Sequence, residues 1–518
     1  MPRRWLRLGI DVGGTNTDAV LMDGDQVLSW HKVATSVGIA DAIVAAAGTV
    51  LKQGGAAPDQ VAAVMLGTTQ FTNAVIERRR LNPVGVLRLA APATTAVAPM
   101  SDWPADLAAV IGDSHHLLHG GLEFDGRQIS AVDEAEIAIA ARDIAAKGIS
   151  AVAITSVFSP LDAAMEHQAE SVLRQTLPDA AVTLSHRIGR IGLLERENAA
   201  ILNAALSELA IHVIEAFSSA INELGIQAPI YLSQNDGTLM TASQAARYPV
   251  LTFASGPTNS MRGAAVLSGY SDALVVDIGG TTSDIGLLLD GFPREAAMTV
   301  NVGGVRTNFR MPDLLAVGLG GGSLVREDGR CIGPDSVGFE LKKRALIFGG
   351  DSLTMSDIAA AAGQMSLGNR DRVAELNCVQ QALATARTMV EAALDQVRPS
   401  AATLPVILVG GGAPLLDGFA IGGGEIVRPD HGQVANAIGA SIAMVGGECD
   451  RVFSLDGISR DEAVAAAKSE AVSQAREAGA DAGSISIVEI DEIPLSYLPG
   501  NATRLRVKAV GNLSAAGI

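Results

Sequence analysis

The sequence predicts an α/β protein of two related lobes, each of βββαβα type, followed by a small C-terminal α/β appendage. One nine-residue pattern occurs twice, as Ile10-Asp-Val-Gly-Gly-Thr-Asn-Thr-Asp18 and Val276-Asp-Ile-Gly-Gly-Thr-Thr-Ser-Asp284, with Asp, Gly, Gly, Thr and Asp at matching places. Strand-like apolar runs alternate with helix-like ones, a pattern of crossover connections and sheets covered by helices. Hydrophobic residues make up 48% of the 518, yet aromatics are only 3% and glycines number 56. That length exceeds one core, and that composition packs on Leu, Ile, Val and Ala, with glycine at strand-to-helix turns.

In the first copy the apolar runs Leu8 to Val12 and Ala19 to Met22 flank Gly13-Gly14-Thr15-Asn16, and Asp23-Gly24 closes a second turn. In the second copy Leu274 to Ile278 and Ile285 to Leu289 flank Gly279-Gly280-Thr281-Thr282, closed by Asp290-Gly291. Each reads as a β-hairpin with a glycine-rich tip. Glycine permits positive φ and removes the Cβ, so backbone N–H groups can close on a phosphate, with Thr15 and Thr281 adding hydroxyl donors. Asp11 and Asp277 end their first strands just before the tips. Two carboxylates facing one phosphate chain repel it unless a hard divalent cation lies between, so the expected ligand is ATP with Mg²⁺ held partly through water by Asp11 and Asp277.

Between the copies, Ile39 to Leu51 reads as a helix and Val61 to Leu66 as a strand delivering Gly67-Thr68-Thr69. Glu134 to Lys147 reads as helix, Ile149 to Ser156 as strand, and Leu194 to Leu224 as a helical run. The expected divisions are a first lobe over residues 1–190, a second over 191–447, and the appendage over 448–518. The appendage reads as one helix, Asp461 to Ala478, and two strands, Ile485 to Ile490 and Arg504 to Val510.

Several function classes are excluded. A net charge of −18 disfavours nucleic acid and anionic membranes, and no Gly-Lys pair supplies a P-loop. Cys331, Cys378 and Cys449 lack metal-ligand spacing. His115, His116 and His119 have a spacing that could put two imidazoles on one helix face, but no matched acidic ligands accompany them. Glu195-Arg196-Glu197 at a helix start reads as first-turn charge on a solvated surface. The N-terminus enters the first strand without an apolar stretch of signal-peptide length, and no run approaches a membrane span, so the expected compartment is the cytoplasm.

With a third glycine run, Val406-Ile-Leu-Val-Gly-Gly-Gly-Ala-Pro-Leu-Leu416, the chain resembles the actin, hexokinase and Hsp70 ATPases. In these, two lobes each offer such a hairpin to Mg²⁺-ATP and a glycine turn before a helix lies near the adenosine. The resemblance therefore assigns Gly410, Gly411 and Gly412 to the adenosine side. Within that superfamily the chain resembles the ATP-binding A subunit of the hydantoinase and oxoprolinase family. Gly67-Thr-Thr-Gln-Phe-Thr-Asn-Ala74, Asn235-Asp-Gly237, Ser255-Gly-Pro257 and Val317-Gly-Leu-Gly-Gly-Gly-Ser323 carry that likeness. It places Thr68, Thr69 and Asn73 toward the substrate, although Gly67-Thr68-Thr69 reads equally as a helix cap. Gly320 and Gly321 read as a phosphate or lobe-closure loop, or as a hinge.

Two departures matter. Many members read Asp-Ile-His where this chain has Asp313-Leu-Leu315, and longer members carry a Gly-Pro-Ala-Cys-Tyr-Gly stretch where it reads Phe339-Glu-Leu-Lys-Lys-Arg344. The family implies an ATP-dependent cyclic-amide hydrolase working with a B-type partner subunit. A stand-alone small-molecule kinase of the same fold and a nucleotide-driven activator remain as alternatives.

Overall fold

The computed structural model describes residues 5–35, 38–296, 299–399, 403–420, 423–495 and 501–514. Its largest sheet has nine strands. In spatial order they are Ser486–Pro494, Thr503–Gly511, Met444–Phe453, Thr238–Thr241, Ile230–Ser233, Val61–Thr68, Leu6–Val12, Asn16–Asp23 and Gln26–Ala34. The three at the Gln26–Ala34 edge are the first hairpin and its following strand, formed where the sequence placed apolar runs around Gly13-Gly14 and Asp23-Gly24. Leu6–Val12 and Val61–Thr68 run parallel with Asp11 opposite Gly67, so both deliver their residues at one end of the sheet. Parallel sheets of this kind open their ligand crevice at the carboxyl ends of the strands.

The second lobe repeats the plan around Ala273–Ile278 and Ser283–Leu289, with Val406–Val409 parallel to the first of these. Phe292–Pro293 and Ile426–Val427 flank them, and Leu314–Val317 pairs with Ser283–Leu289. A separate sheet of four parallel strands, His115–His119, Val84–Ala91, Ala151–Ser156 and Ala181–Leu184, is carried by the first lobe.

The nine-stranded sheet crosses the expected divisions. Ile230–Ser233, from beyond residue 190, pairs directly with Val61–Thr68, and the helices Leu193–Ala205 and Ser207–Glu223 pack into the first-lobe core with Ile43, Val50 and Leu66. The 448–518 segment, expected as an appendage, forms the sheet's other edge: Thr503–Gly511 pairs along the whole of Val445–Phe453. Pairing of this kind is made by backbone groups, which any strand offers. Its helix, Arg460–Glu477, buries Ala463, Ala467, Ala471 and Ala475 against those strands, a small-residue face that lets helix and sheet approach closely.

The lobes meet through two helices, Ser255–Ser268 and Ala435–Ile442, that touch backbone to backbone. A methyl group on Gly439 would stand 1.8 Å from the Asn259 carbonyl oxygen, and one on Gly263 would stand 2.0 Å from that of Ala435. Any larger residue would force the lobes apart. No single helix among the described residues is long and apolar enough to cross a membrane. The pair Leu193–Ala205 and Ser207–Glu223 passes on length and composition but is bent by 53° and belongs to the first-lobe core.

Candidate active site

Both glycine tips close in the same way. The Gly13 N–H donates to the Asn16 carbonyl at 3.0 Å, and the Gly279 N–H to that of Thr282 at 2.9 Å. The remaining tip carbonyls are held from behind by different groups. At the first tip, the Thr35 N–H and hydroxyl donate to the carbonyls of Thr15 and Gly13, both at 2.9 Å. At the second, the N–H groups of Gly321 and Gly322 donate to the carbonyls of Gly279 and Gly280 at 3.0 and 2.7 Å, and the Ser323 hydroxyl to that of Thr281 at 3.3 Å. With their carbonyls tied back, the N–H groups of Gly14, Thr15, Gly280 and Thr281 meet no protein acceptor among the described residues. Such a row of free amides attracts anions. The tips adjoin: a Cβ on Gly280 would lie 3.8 Å from Thr15 Oγ1.

Behind each tip stands a pair of aspartates, because the antiparallel register sets Asp11 opposite Asp18 and Asp277 opposite Asp284. Asp11 and Asp18 are buried, and Asp11 Oδ1 and Asp18 Oδ1 make no hydrogen bond. Their other oxygens share the Asn436 amide, at 2.8 and 3.1 Å, and Lys32 Nζ reaches Asp18 at 2.9 Å. Burial and then the charge of Asp18 push Asp11 up to about 7, against the Asn436 hydrogen bond. Burial also raises Asp18 despite Lys32. In the second pair, burial and then Asp277 push Asp284 up to about 7. Burial raises Asp277 as well, opposed by the Ser260 hydroxyl and Lys32. Asp277 in turn raises Asp11, so the two pairs feel each other.

Glycines make room for these carboxylates. A Cβ on Gly67 would lie 2.4 Å from Asp11 Oδ1 and 2.7 Å from Asn259 Nδ2, and one on Gly410, at φ 85°, 2.3 Å from Asp277 Oδ1. The Gly410 and Gly412 amides are taken by the carbonyls of Gly432 and Ile278, whereas Gly411 is exposed with open space where its side chain would be. After this glycine run the chain makes a four-residue 3₁₀ turn, Ala413–Leu416, in place of the expected helix. Gly320 and Gly321 are buried, and their amides go to Ser323 Oγ and the Gly279 carbonyl, leaving no hydrogen for a phosphate. They brace the second tip. Thr68 is buried and its hydroxyl accepts the Gln70 N–H in a local turn, whereas the N-cap of the helix Gln70–Glu77 is Thr69, which makes no side-chain cap bond; Thr69 and Asn73 stay half-buried beside the first tip, with Asn73 Nδ2 3.5 Å from where a Gly14 Cβ would be.

Among the described residues no three acidic, histidine or cysteine side chains converge into a metal cage. The orphaned oxygens of Asp11 and Asp18 nonetheless suit a cation that brings most of its ligands as phosphate and water, which is how Mg²⁺ binds.

A hydantoinase/oxoprolinase N-terminal region model matches residues 7–177, and a hydantoinase/oxoprolinase model matches residues 196–370. The chain belongs to the hydantoinase/oxoprolinase family. It is 26% identical over 397 residues to the caprolactamase subunit alpha of Pseudomonas jessenii, covering 71% of this chain and 56% of that subunit. The chain thus spans little more than half the length of this curated relative. The crystal structure of the ATP-dependent caprolactamase from Pseudomonas jessenii superposes with a TM-score of 0.78 at 19% identity, covering 98% of this chain and 88% of that one. A nucleotide-free acetone carboxylase structure gives 0.71 at 17% identity, with the same coverages. These likenesses fix the two-lobed fold.

Within this family the chain's departures have structural explanations. Leu315 is half-buried opposite Ile285 and packs against the second-lobe core, and Asp313 pairs with Arg294 at 2.7 Å. Glu195-Arg196-Glu197, expected on the surface, is largely interior. Glu197 takes Arg88 at 2.6 Å, and Arg196 donates to Ser185 and to the carbonyls of Arg190 and Ile191, all beneath the first lobe. Buried charge persists only where it is so completely paired. His115, His116 and His119 lie on a strand, not a helix, and the latter two pair with Asp143 and Glu136.

Sequence reasoning overlooked Asp18, Asp284, Lys32, Asn436 and Asn259. The first two were visible as the closing residues of the repeated pattern. The others come from elements that only the fold brings near.

Proposed function

We propose that the chain is the ATP-binding and phosphorylating subunit of an ATP-dependent hydrolase of cyclic amides, whether hydantoin, lactam or imide, acting with a B-type partner. The observation that carries this reading is the pair of adjoining amide-lined tips, each backed by two aspartates. An amide carbonyl is stabilised by resonance. Transfer of the γ-phosphoryl group to its oxygen gives ADP and an O-phosphorylated imidate, which water can attack, with cleavage of the ring C–N bond and loss of phosphate. In such a transfer the protein chiefly positions reactants and neutralises charge.

The free amides of Gly14, Thr15, Gly280 and Thr281 would hold phosphate oxygens, and Gly411 would border the adenosine. Asp11 and Asp277 would hold Mg²⁺, partly through water. Bound there, the ion supplies charge neutralisation on the phosphates. Thr69 and Asn73, beside the first tip, would orient the acceptor carbonyl. Lobe closure would keep water from the phosphate until that acceptor is in place.

The test is ADP release by the purified chain against lactams, imides, hydantoins and acetone, with and without the product of a neighbouring gene. Stimulation by a cyclic amide, with ring opening only when the partner is present, is expected. A stable phosphorylated product without ring opening would make the chain a kinase, and turnover indifferent to every substrate would make it an activator.

A further inference from the structure

Away from the tips lies a cavity of about 1140 Å³, walled by residues 159–163 and 186–191, the turn after Ile230–Ser233, Phe309 and Arg310, and the C-terminal strands and helix. One corner is a dense network of cations and carboxylates, in which Arg506 also meets Glu489 and Asp491 and Arg504 meets Asp450. Glu295 alone is approached by Arg506 at 2.7 Å, Arg310 at 3.3 Å, Arg190 at 3.5 Å and Lys508 at 3.9 Å. Asp236 is shared by Lys508 at 2.8 Å and Arg310 at 3.7 Å, and Glu448 is a further partner of Arg310. Despite these ion pairs, Arg190 Nη2, Arg310 Nε and Nη1, and Arg506 Nε are buried without a hydrogen bond to protein. Buried guanidinium hydrogens left unpaired are costly, and a carboxylate is the acceptor their fork geometry fits.

Three of the cations, Arg190, Arg310 and Lys508, line the cavity itself. Burial, followed by the nearby charges of Arg506 and Arg310, works against the charge of Arg190, with Glu295 and Asp450 opposing them in part. Burial opposes the charge of Arg310 too, but Glu448, Glu295 and Asp236 outweigh it and keep that guanidinium firmly protonated. An anion entering this corner would relieve the crowding at Arg190. The walls also carry Glu477 and Glu470, both from the helix Arg460–Glu477; Glu470 already pairs with Arg451 at 3.0 Å, and its carboxylate would be shared with an entering cationic group.

We propose that this cavity is a second ligand site, which takes a small linear amino acid, its carboxylate against Arg190 and Arg310 and its ammonium toward Glu470 and Glu477. The ligand class rests on the proposed function, because opening a lactam releases such a molecule; the anion-seeking corner itself does not. The cavity is also tied to the nucleotide side. The chain leaves the second lobe after Phe292–Pro293, contributes Glu295 and Arg310 to the corner, and returns as Leu314–Val317 to pair with the strand that carries Asp284.

The test is calorimetric titration of the full chain, without nucleotide, with 4-aminobutyrate, 5-aminopentanoate, 6-aminohexanoate and inorganic phosphate. Saturable binding of at least one amino acid is expected, weakened at least tenfold in Arg190→Gln and Arg190→Glu, with ATP binding unchanged in both variants. Arg190 suits the test because its backbone N–H, bonded to Asn308, survives the substitution. No saturation by any amino acid, equal binding by phosphate, or binding indifferent to both substitutions would each overturn the proposal. The readout involves no ATP turnover, so failure of the cyclic-amide reading would appear separately, as lactams that do not stimulate ADP release.

Discussion

At the first hairpin the aspartate pair shares the Asn436 amide and the Lys32 ammonium, and a threonine braces the tip. At the second, Asp284 has no such partner among the described residues, Asp277 has the Ser260 hydroxyl and the more remote field of Lys32, and a buried glycine loop braces the tip. The two backbones match bond for bond at the turn, so the glycines and the register suffice to reproduce the frame. Charge balance does not come with it. Among the described residues the first pair alone has a cation and an amide in hydrogen-bond contact, Lys32 from the next strand and Asn436 from a helix far away in sequence. The second pair is the one that relies more on charge brought by a ligand.

The strongest way to break this comparison is to remove one charge from each pair. Asp11→Asn and Asp277→Asn should each lower ADP release by about a hundredfold to a thousandfold, the size of loss seen when a group that steadies transition-state charge is removed. Thermal stability should hold or rise, because each substitution removes a buried carboxylate whose charged form is disfavoured. Steady-state ADP assays with melting curves would check both points, and full turnover in either variant would make that hairpin purely structural.

Next in size are the glycines that leave room for those carboxylates. Gly67→Ala and Gly410→Ala would both drive a methyl group into an aspartate oxygen, and both should lower turnover, by less than removal of the charge itself. Only Gly410 also has positive φ, so its variant should lose a further ~1–2 kcal/mol that Gly67→Ala does not. Urea unfolding midpoints compare the two directly, and equal midpoints would mean that the backbone at Gly410 relaxes freely.

Much of this frame was legible in the sequence, for a physical reason. A hairpin tip is local: its glycines, flanking apolar runs and terminal aspartates lie within the fifteen residues from Leu8 to Met22, and strand register alone brings Asp11 to Asp18. Asn436 and Lys32 could not be found that way, since neither belongs to a repeated pattern. The same limit hid the joining of Thr503–Gly511 to Val445–Phe453, a pairing made by backbone groups that carry no sequence signature. It also hid Arg196, which reads as surface charge until the carbonyls of Arg190 and Ile191 close around it.

A smaller effect separates the pairs by pH. Asp11 and Asp284 both hold a proton up to about 7 in the folded chain, whereas an unfolded aspartate releases it near 4. The folded state therefore binds more protons between those limits, and stability conferred by the protonated groups is present at about pH 4 and lost as pH rises through 7. Melting temperature of the nucleotide-free chain should fall over that window. Asp284→Asn should flatten the fall, and Lys32→Met should steepen it at the first pair by removing the cation beside Asp18. A melting temperature that is level from pH 4 to 8 in the parent chain would count against buried, proton-holding aspartates.

The smallest expected difference lies in the braces. Thr35→Val removes a hydroxyl that holds the Gly13 carbonyl, and Ser323→Ala removes one that holds the carbonyl of Thr281 and also accepts the Gly320 N–H. Each lost hydrogen bond is worth about 1 kcal/mol, which is a fewfold change in an equilibrium constant. Because Thr35 keeps its backbone N–H on Thr15, while the second tip has two glycine amides besides Ser323, neither tip should collapse. Both variants should instead weaken nucleotide binding about threefold to tenfold, with Ser323→Ala the more severe because it also strands a buried amide. Nucleotide titration of the two variants measures the order, and a reversed order would show that the first tip, not the second, governs how firmly the phosphates are held.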